Sequence, residues 1–195
     1  MIEVLDYKNL LHITLLLISS PARAWEEIRL QGDKRAVFTS FVYPMIGLCG
    51  LSVFIGALWS HGWSGPQSFQ YAMTECCAVA VSLFGGYFLS AWLLDKLRVR
   101  LLRASADQPL MWQFAGYAMV VFFLLKIVLG ILPEFQIIAL VAQFYTLYVV
   151  WEGSRVLLEV DDSRRLTFTL LSFVLLVGCP MLVEWMFNEL TFLLN

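Results

Sequence analysis

The sequence predicts an all-α integral membrane protein, in which five transmembrane helices are preceded by one or two short N-terminal amphipathic helices. Hydrophobic residues make up 60% of the chain and charged residues only 14%, whereas a soluble domain is about half apolar and a quarter charged. Five apolar stretches are each long enough to cross a bilayer, which takes about 20 residues. The polar segments between these stretches are alternately rich in Lys and Arg and devoid of both.

The five predicted spans leave little chain for a separate soluble domain. They cover residues 37–59, 70–94, 111–132, 135–157 and 166–190. We therefore predict a cytosolic or interfacial amphipathic segment at 1–36 and a single five-helix transmembrane bundle at 37–195. A nucleic-acid partner is not expected, because the net charge is −2 and no basic stripe is present.

The distribution of Lys and Arg predicts the orientation of the chain. Twelve of the thirteen basic residues lie before the first span, between the second and third spans, or between the fourth and fifth spans. The remaining cation, Lys126, lies inside the third span. Since basic segments stay in the cytoplasm, the N-terminus is predicted to be cytoplasmic and the C-terminus to lie outside.

The first part of the N-terminal segment, at about 7–18, is rich in Leu and Ile but too short to cross a membrane. Lys8, His12 and Ser19 fall on one helical face. This pattern predicts a short helix lying in the membrane interface.

A second short helix is predicted to begin at Ser20 and Pro21, which suit an N-cap and the first helical position. Gly32 is a residue type that commonly ends a helix. Trp25 and Ile28 share a face of this helix, so we expect that face to pack on the membrane surface or on the cytosolic ends of the spans.

Three ionisable residues inside the spans are the candidate site residues: Glu75, Lys126 and Glu184. Such a residue costs about 2.5–3.5 kcal/mol on insertion scales and is therefore a candidate for function. A helix rise of about 1.5 Å per residue places all three in the outer half of the bilayer. We predict that Lys126 pairs with Glu75, with Glu184 or with both.

Three interpretations of this polar cluster stay open. It is a structural ion pair that stabilises helix packing, or a polar cavity open to the outside for an ion, a proton or a lipid headgroup. The third interpretation is that Lys126 and Glu184 extend separately to the interface.

Two other groups of residues are predicted to have local roles. On the second span, small residues four apart predict a packing stripe that lets another helix approach closely: Ala78, Ser82, Gly86 and Ser90. Glu75 points along this stripe, so it is expected to face a neighbouring helix. Near the cytosolic end of the fourth span, Glu152 and Arg155 are spaced to pair on one helix face, and they are secondary candidates on the inner side.

Enzymatic activity, a metal and a cofactor are not predicted. The sequence has no Gly-rich phosphate loop, nucleophile elbow or zincin motif. The four cysteines fall within the spans without a Cys-x-x-Cys pair and suit small apolar packing positions. A thiol–carboxylate metal site formed by Glu75, Cys179 and Glu184 is the alternative.

Short motifs carry a resemblance to a known family. They are SPARAWEEI at 20–28, Tyr43-Pro44 in the first span and Gly85-Gly86 in the second span. With these motifs the chain resembles the Yip1 family of five-span membrane proteins, which implies a cytosolic N-terminus and a five-helix bundle.

Eukaryotic relatives of that family are associated with Rab GTPases and vesicle traffic. Their long N-terminal region and acidic Asp-Leu-Tyr-Gly-Pro type motif are not found in this sequence, so a Rab-type GTPase is not an expected partner. The compact form resembles the bacterial branch, which implies a multi-pass protein of the bacterial cytoplasmic (inner) membrane.

Two functions follow as hypotheses. The first is a non-enzymatic Yip1-like membrane protein that organises membrane lipids or partner proteins, either as a homo-oligomer or with another membrane protein. The second is a small transporter or channel that uses the polar site in the outer half of the bundle. A water-accessible cavity reaching Glu75 would favour transport, and a dry, fully paired cluster would favour the first function.

Overall fold

The computed structural model describes residues 7–30, 32–63 and 65–194, and within these ranges the chain is helical without a β-strand. The described residues do not include 1–6, 31, 64 and 195. The ends of the predicted regions 1–36 and 37–195 therefore lie outside them. The α-helices are α1 (Tyr7–Ser19), α2 (Pro21–Arg29), α3 (Tyr43–His61), α4 (Pro66–Leu97), α5 (Gln108–Ala118), α6 (Val120–Ile131), α7 (Gln136–Ala142), α8 (Tyr145–Val156) and α9 (Asp162–Leu194).

Short helical turns extend several of these helices. A 3₁₀ turn at Lys34–Ala36 and a π-helical turn at Phe38–Val42 lead into α3, and a π-helical turn at Arg98–Leu102 continues α4. A 3₁₀ turn at Pro133–Phe135 joins α6 to α7.

Three continuous helical stretches are long and apolar enough to cross a membrane: Lys34–His61, Pro66–Leu102 and Asp162–Leu190. Two further stretches pass the same test only as bent pairs, α5 with α6 at 41° and α7 with α8 at 40°. The described chain therefore contains three spans, or up to five if each bent pair is one span. The prediction of an all-helical, multi-pass membrane protein is confirmed at this level.

The breaks inside the two bent pairs are not apparent in the sequence. Met119 separates α5 from α6, and Gln143 and Phe144 separate α7 from α8. Kinks usually occur at Pro or Gly, and neither break contains one. At the second break the backbone uses tighter bonds, such as Phe144 N–H to the Val141 carbonyl at 3.1 Å, and the Gln143 side-chain amide donates to the Thr146 hydroxyl at 3.0 Å.

Helix α4 lies at the centre of the bundle, where it packs against α3, α5 and α9, and α3 also packs against α6. The main cluster of buried apolar side chains draws on helices α1 to α6, α8 and α9 and includes the largest fully buried residues, among them Trp25, Tyr87, Tyr117, Phe114 and Phe168.

Helix α2 packs into the groove between α5 and α8. Trp25 is fully buried, its indole N–H donates to the Val149 carbonyl at 2.9 Å, and its ring stacks on Phe114 with centroids 5.5 Å apart. A Cβ added at Gly153 would lie 2.6 Å from the Trp25 ring, so glycine is needed for this approach. The face that carries Trp25 thus packs against α5 and α8.

The ends of α2 differ in detail from the prediction. Ser20 occupies the N-cap position before Pro21, but its side chain makes no capping hydrogen bond. The helix ends at Arg29 with Leu30 as its C-cap, which is earlier than the predicted stop at Gly32.

We expect Trp25→Phe to lower stability, because the phenyl ring cannot donate the hydrogen bond to Val149. The loss of one buried hydrogen bond costs about 1 kcal/mol, and the smaller ring leaves a void that adds to it. The melting temperature of the purified protein measures the effect. Trp63→Phe is the matched control, because Trp63 is exposed, and an equal shift for both variants would contradict the assigned role of Trp25.

The three basic segments meet at one end of the bundle, which we call the basic end. The Arg164 guanidinium donates to the Leu101 carbonyl at 2.7 Å, which places the last two basic segments together. Lys34 of the first basic segment pairs with Asp107 at 2.7 Å, next to the second segment. This arrangement agrees with the predicted placement of the three segments on one side.

Asp107 has a structural role at the basic end. Its carboxylate caps α5 by accepting from the Leu110 amide at 3.1 Å, and its own amide donates to the buried Asp95 carboxylate at 3.0 Å. Partial burial would raise the pKa of Asp107, but the hydrogen bonds from Lys34 and Leu110, together with the nearby positive charges, lower the pKa overall.

Candidate functional site

Lys126 and Glu184 form an ion pair between α6 and α9. The Lys126 ammonium lies 2.8 Å and 2.7 Å from the two carboxylate oxygens of Glu184. The side chains are 22% and 27% exposed, so the pair is neither dry nor fully solvated. Phe122, one helical turn before Lys126, places its ring centroid 6.0 Å from the ammonium.

Glu75 lies on α4 and faces the same space, but it forms no ion pair with Lys126 within 4 Å in the described structure. Tyr71, one turn earlier on α4, interacts with Glu75 through its hydroxyl. The Tyr71 ring in turn packs on the His61 ring, with centroids 4.3 Å apart. The structure thus brings Lys126 and Glu184 into contact and leaves the Glu75 carboxylate available.

A cavity of about 440 Å³ connects these residues, and we call it the outer cavity. Its walls come from the ends of α3, α4, α6 and α9 and the turn after α6 that are farthest from the basic end. Its polar lining consists of Ser60, His61, Tyr71, Glu75, Lys126, Glu134 and Glu184, and the remaining lining is mainly apolar. The volume lies within the range of about 300–1,000 Å³ that is typical of small-molecule sites.

The charges of the outer cavity are unequal. Three carboxylates, Glu75, Glu134 and Glu184, face one ammonium, Lys126. Lys126 and Glu184 neutralise each other, so the cavity retains negative charge at Glu75 and at the Glu134 rim. Such a site stabilises a positively charged group, and the Lys126 ammonium can hold an anionic group beside it.

The close packing of α3 on α6 shapes one wall of the outer cavity. A Cβ added at Gly56 would lie only 1.7 Å from the Gly130 carbonyl oxygen, and one added at Gly130 would lie 2.6 Å from the Ser52 hydroxyl. The two backbones therefore touch directly at this crossing. Lys126 lies one turn before Gly130, so this contact positions Lys126 at the cavity.

The predicted packing stripe lies at the crossing of α4 and α9. Its side chains at Ala78, Ser82 and Ser90 are buried. A Cβ at Gly86 would lie 2.4 Å from the Cα of Pro180, and the Ser90 hydroxyl donates to the Leu175 carbonyl at 3.1 Å. The stripe lets the part of α9 around Pro180 approach α4, which brings Glu184 towards the cavity.

The secondary pair lies elsewhere, towards the basic end of α8. The Arg155 guanidinium contacts the Glu152 carboxylate at 2.7 Å across one helical turn. Arg155 also lines a shallow groove of about 470 Å³ together with Glu26 and Arg29. These residues are separate from the outer cavity.

Sequence reasoning did not assign His61, Tyr71 and Glu134 to the site. Each lies at the outer end of a predicted span, at a height similar to that of Glu75, and this shared height is the only signal in the sequence. Among the described residues, no three His, Cys, Asp or Glu side chains are grouped to hold a metal ion. In particular, no such group joins Glu75, Cys179 and Glu184.

Comparison with known proteins gives one finding. Searches of curated proteins and of solved structures returned no match. The family model described as the Yip1 domain matches residues 15–183, which is most of the chain and includes α2, the packing stripe and nearly all of the outer cavity. The chain therefore belongs to the Yip1 family.

Proposed function

We propose that this chain is a non-enzymatic membrane protein that organises lipids by binding a polar lipid headgroup in the outer cavity. The observation that carries the proposal is the Glu75 carboxylate, which faces an open cavity beside the Lys126–Glu184 pair without an ion-pair partner of its own. An unpaired carboxylate at membrane depth is costly unless a cationic group or water reaches it.

The headgroup that fits best carries both an amine and a phosphate, as phosphatidylethanolamine does. The amine would lie against Glu75, and the phosphate would lie near Lys126, which uses two of its three N–H donors on Glu184. The apolar remainder of the cavity wall suits the upper part of an acyl chain.

The proposal includes an orientation. The three basic segments meet at the end of the bundle opposite the outer cavity. By the positive-inside rule this end would face the cytoplasm, and the cavity would open towards the outer leaflet of a bacterial inner membrane. The bound lipid would then come from the outer leaflet.

Glu75→Gln tests the proposal. The amide keeps the shape of the side chain but removes its charge, so we expect about tenfold weaker retention of phosphatidylethanolamine, since a charged hydrogen bond contributes about 1.5–3 kcal/mol. Native mass spectrometry of the detergent-purified protein, titrated with phosphatidylethanolamine or phosphatidylglycerol, measures this retention. Glu189→Gln is the matched control, because Glu189 is exposed on α9 and does not line the cavity.

Equal retention of phosphatidylethanolamine by the wild type and by Glu75→Gln would contradict the proposal. Equal binding of phosphatidylethanolamine and phosphatidylglycerol by the wild type would also contradict the proposal, because the assigned role of Glu75 is to recognise the amine.

A second function, transport of a small cation or proton, is favoured by the outer cavity itself, because it reaches Glu75 as the transport hypothesis expects, and by a further observation. The pairs α5–α6 and α7–α8 bend by about 40° inside the bundle, and interrupted helices are typical of secondary transporters. Flux into proteoliposomes separates the two functions. Flux by the wild type that Glu75→Gln abolishes while the fold stays intact would support transport, and lipid retention without flux would support the first function.

A further inference from the structure

The two N-terminal helices fold back on each other. The His12 imidazole lies 3.2 Å from the Glu27 carboxylate, although these residues are 15 positions apart. In one straight helix they would be separated by about 22 Å. The reversal occurs at Ser20, whose backbone leaves the helical region at φ −150° and ψ 74°. Helices α1 and α2 therefore form an antiparallel pair, which we call the hairpin.

Contacts with α8 show how far the hairpin reaches from the basic end. At its open end, Arg29 donates to the Val156 carbonyl at 3.4 Å. At its turn, the Ile18 carbonyl accepts from the Tyr145 hydroxyl at 2.6 Å. Eleven helical residues between Tyr145 and Val156 correspond to about 16 Å, and half of the hydrocarbon core of a bilayer is about 15 Å.

Contacts with α5 also show that the turn of the hairpin lies farther from the basic end than its open end does. Gln113, early in α5, donates to the Ile28 carbonyl at 3.3 Å, whereas Trp25 packs on Tyr117, one turn farther from the basic end, at 6.3 Å between ring centroids. Helix α1 also contacts α6, which begins after the break at Met119. Two neighbouring helices thus place the turn of the hairpin near the middle of the bundle.

The polarity of α1 changes along the helix rather than around it. Its most polar residues, Lys8, Asn9 and His12, lie in the half near the basic end. In the other half Thr14 is buried and donates to the Leu10 carbonyl, and Ser19 is exposed at the turn. The half near the turn is apolar on its buried side at Ile13 and Leu17 and also on its exposed side, where Leu15 is 68% exposed. A helix lying flat in the interface has one polar face along its whole length, whereas a helix that is apolar all round belongs in an apolar environment.

We propose that the hairpin is a re-entrant element that enters the leaflet on the basic side and turns back near the middle of the bilayer. Its partner on the exposed side is the acyl-chain layer of that leaflet, which contacts the stripe of Leu11, Leu15 and Ile18. This arrangement differs from the predicted helix at the surface, because α1 stands along the bundle instead of lying across its end.

Arg23 is the charged residue nearest to the turn of the hairpin and is exposed on α2. Its long side chain can extend towards the basic end, where the lipid phosphates of that leaflet lie. The His12–Glu27 contact lies eight helical residues from the turn, a distance of about 12 Å that suits the headgroup level of that leaflet.

Depth measurements with spin labels test the hairpin. Single cysteines replace Leu15 and Lys8 in a variant that lacks the four native cysteines, and the labelled protein is reconstituted in phosphatidylethanolamine–phosphatidylglycerol bilayers. We expect the label at Leu15 to be relaxed by oxygen and protected from a water-soluble nickel complex. It should lie about 10 Å deeper than the label at Lys8, because seven residues separate the two positions. A label at Val174, exposed on the long helix α9, calibrates the interior of the bilayer.

Equal depths for the two N-terminal labels, near the phosphates, would overturn the proposal in favour of a helix lying flat. Protection of Leu15 from both oxygen and nickel would also overturn it, because a protein surface would then cover the stripe. Photo-crosslinking from benzoylphenylalanine at Leu15 repeats the test with the native cysteines present. Crosslinks to phospholipid are expected, and crosslinks to a second copy of the chain would contradict the assigned partner.

Discussion

Gly56→Ala is expected to force α3 away from α6 and to destabilise the bundle severely. The added Cβ would lie 1.7 Å from the Gly130 carbonyl oxygen and 2.8 Å from the carbonyl carbon. Both are backbone atoms, so no change of rotamer relieves the overlap, and one whole helix must shift. Overpacking costs about 1–3 kcal/mol in ordinary cores, and we expect a loss at or above the upper end of that range.

The same helix provides a matched control for this substitution. A Cβ at Gly47 has no neighbour within 4 Å, and alanine is favoured over glycine in helices by about 1 kcal/mol. Gly47→Ala should therefore keep or raise the melting temperature, while Gly56→Ala lowers it and reduces the monodisperse fraction in size-exclusion chromatography. Similar melting temperatures for the two variants would show that α3 and α6 are not in direct backbone contact.

The Gly56 substitution also tests how the outer cavity is built. Lys126 and Gly130 are on the same helix, one turn apart, so a shift of α6 moves the ammonium relative to Glu184. We expect Gly56→Ala to weaken phosphatidylethanolamine retention as well as stability, in any fraction of the protein that remains folded.

Lys126→Met is expected to give the second large effect. It leaves the Glu184 carboxylate partly buried at membrane depth without its partner ammonium. An unsatisfied buried polar group costs about 1–3 kcal/mol, and more when it is charged. Glu184→Gln should have a comparable effect, because it leaves the ammonium without its counter-charge.

The double variant Lys126→Met with Glu184→Gln removes both charges, so it should be more stable than the sum of the two single losses predicts. Thermal unfolding of all four proteins in a double-mutant cycle measures this coupling. Arg29→Met is the matched control: Arg29 pairs with Glu159, their side chains are 56% and 74% exposed, and exposed pairs contribute only about 0.2–1 kcal/mol. Strict additivity at Lys126 and Glu184 would contradict a coupled ion pair.

The all-helical, multi-pass character of the chain follows from local properties of the sequence, although the structure has three continuous spans, or up to five if each bent pair is one span. Hydropathy and length identify the spans because crossing the hydrocarbon core requires about 20 apolar residues wherever they occur. The positions of Lys and Arg predicted that the basic segments share one side, and the bond from Arg164 to the Leu101 carbonyl joins two of them. The Yip1 motifs predicted the family, and the match over residues 15–183 confirms it.

The candidate site was less accessible to sequence reasoning. The height of each ionisable residue along its span can be counted, and this count placed Glu75, Lys126 and Glu184 at similar depth. Counting residues along a span cannot predict which carboxylate pairs with Lys126, because the pairing depends on the rotation of α6 and on how closely α9 approaches α4. Gly86 against Pro180 permits that approach, and the structure pairs Lys126 with Glu184.

The amino-acid order alone therefore specified a helical membrane protein of the Yip1 family and predicted a depth for each charge, since hydropathy, spacing and motifs are properties of neighbouring residues. The breaks at Met119 and Phe144, the reversal at Ser20 and the outer cavity are apparent only in the tertiary structure. These features depend on which backbones can touch. Trp25 fits against Gly153, and Gly56 fits against Gly130, and such contacts join segments that are far apart in the chain.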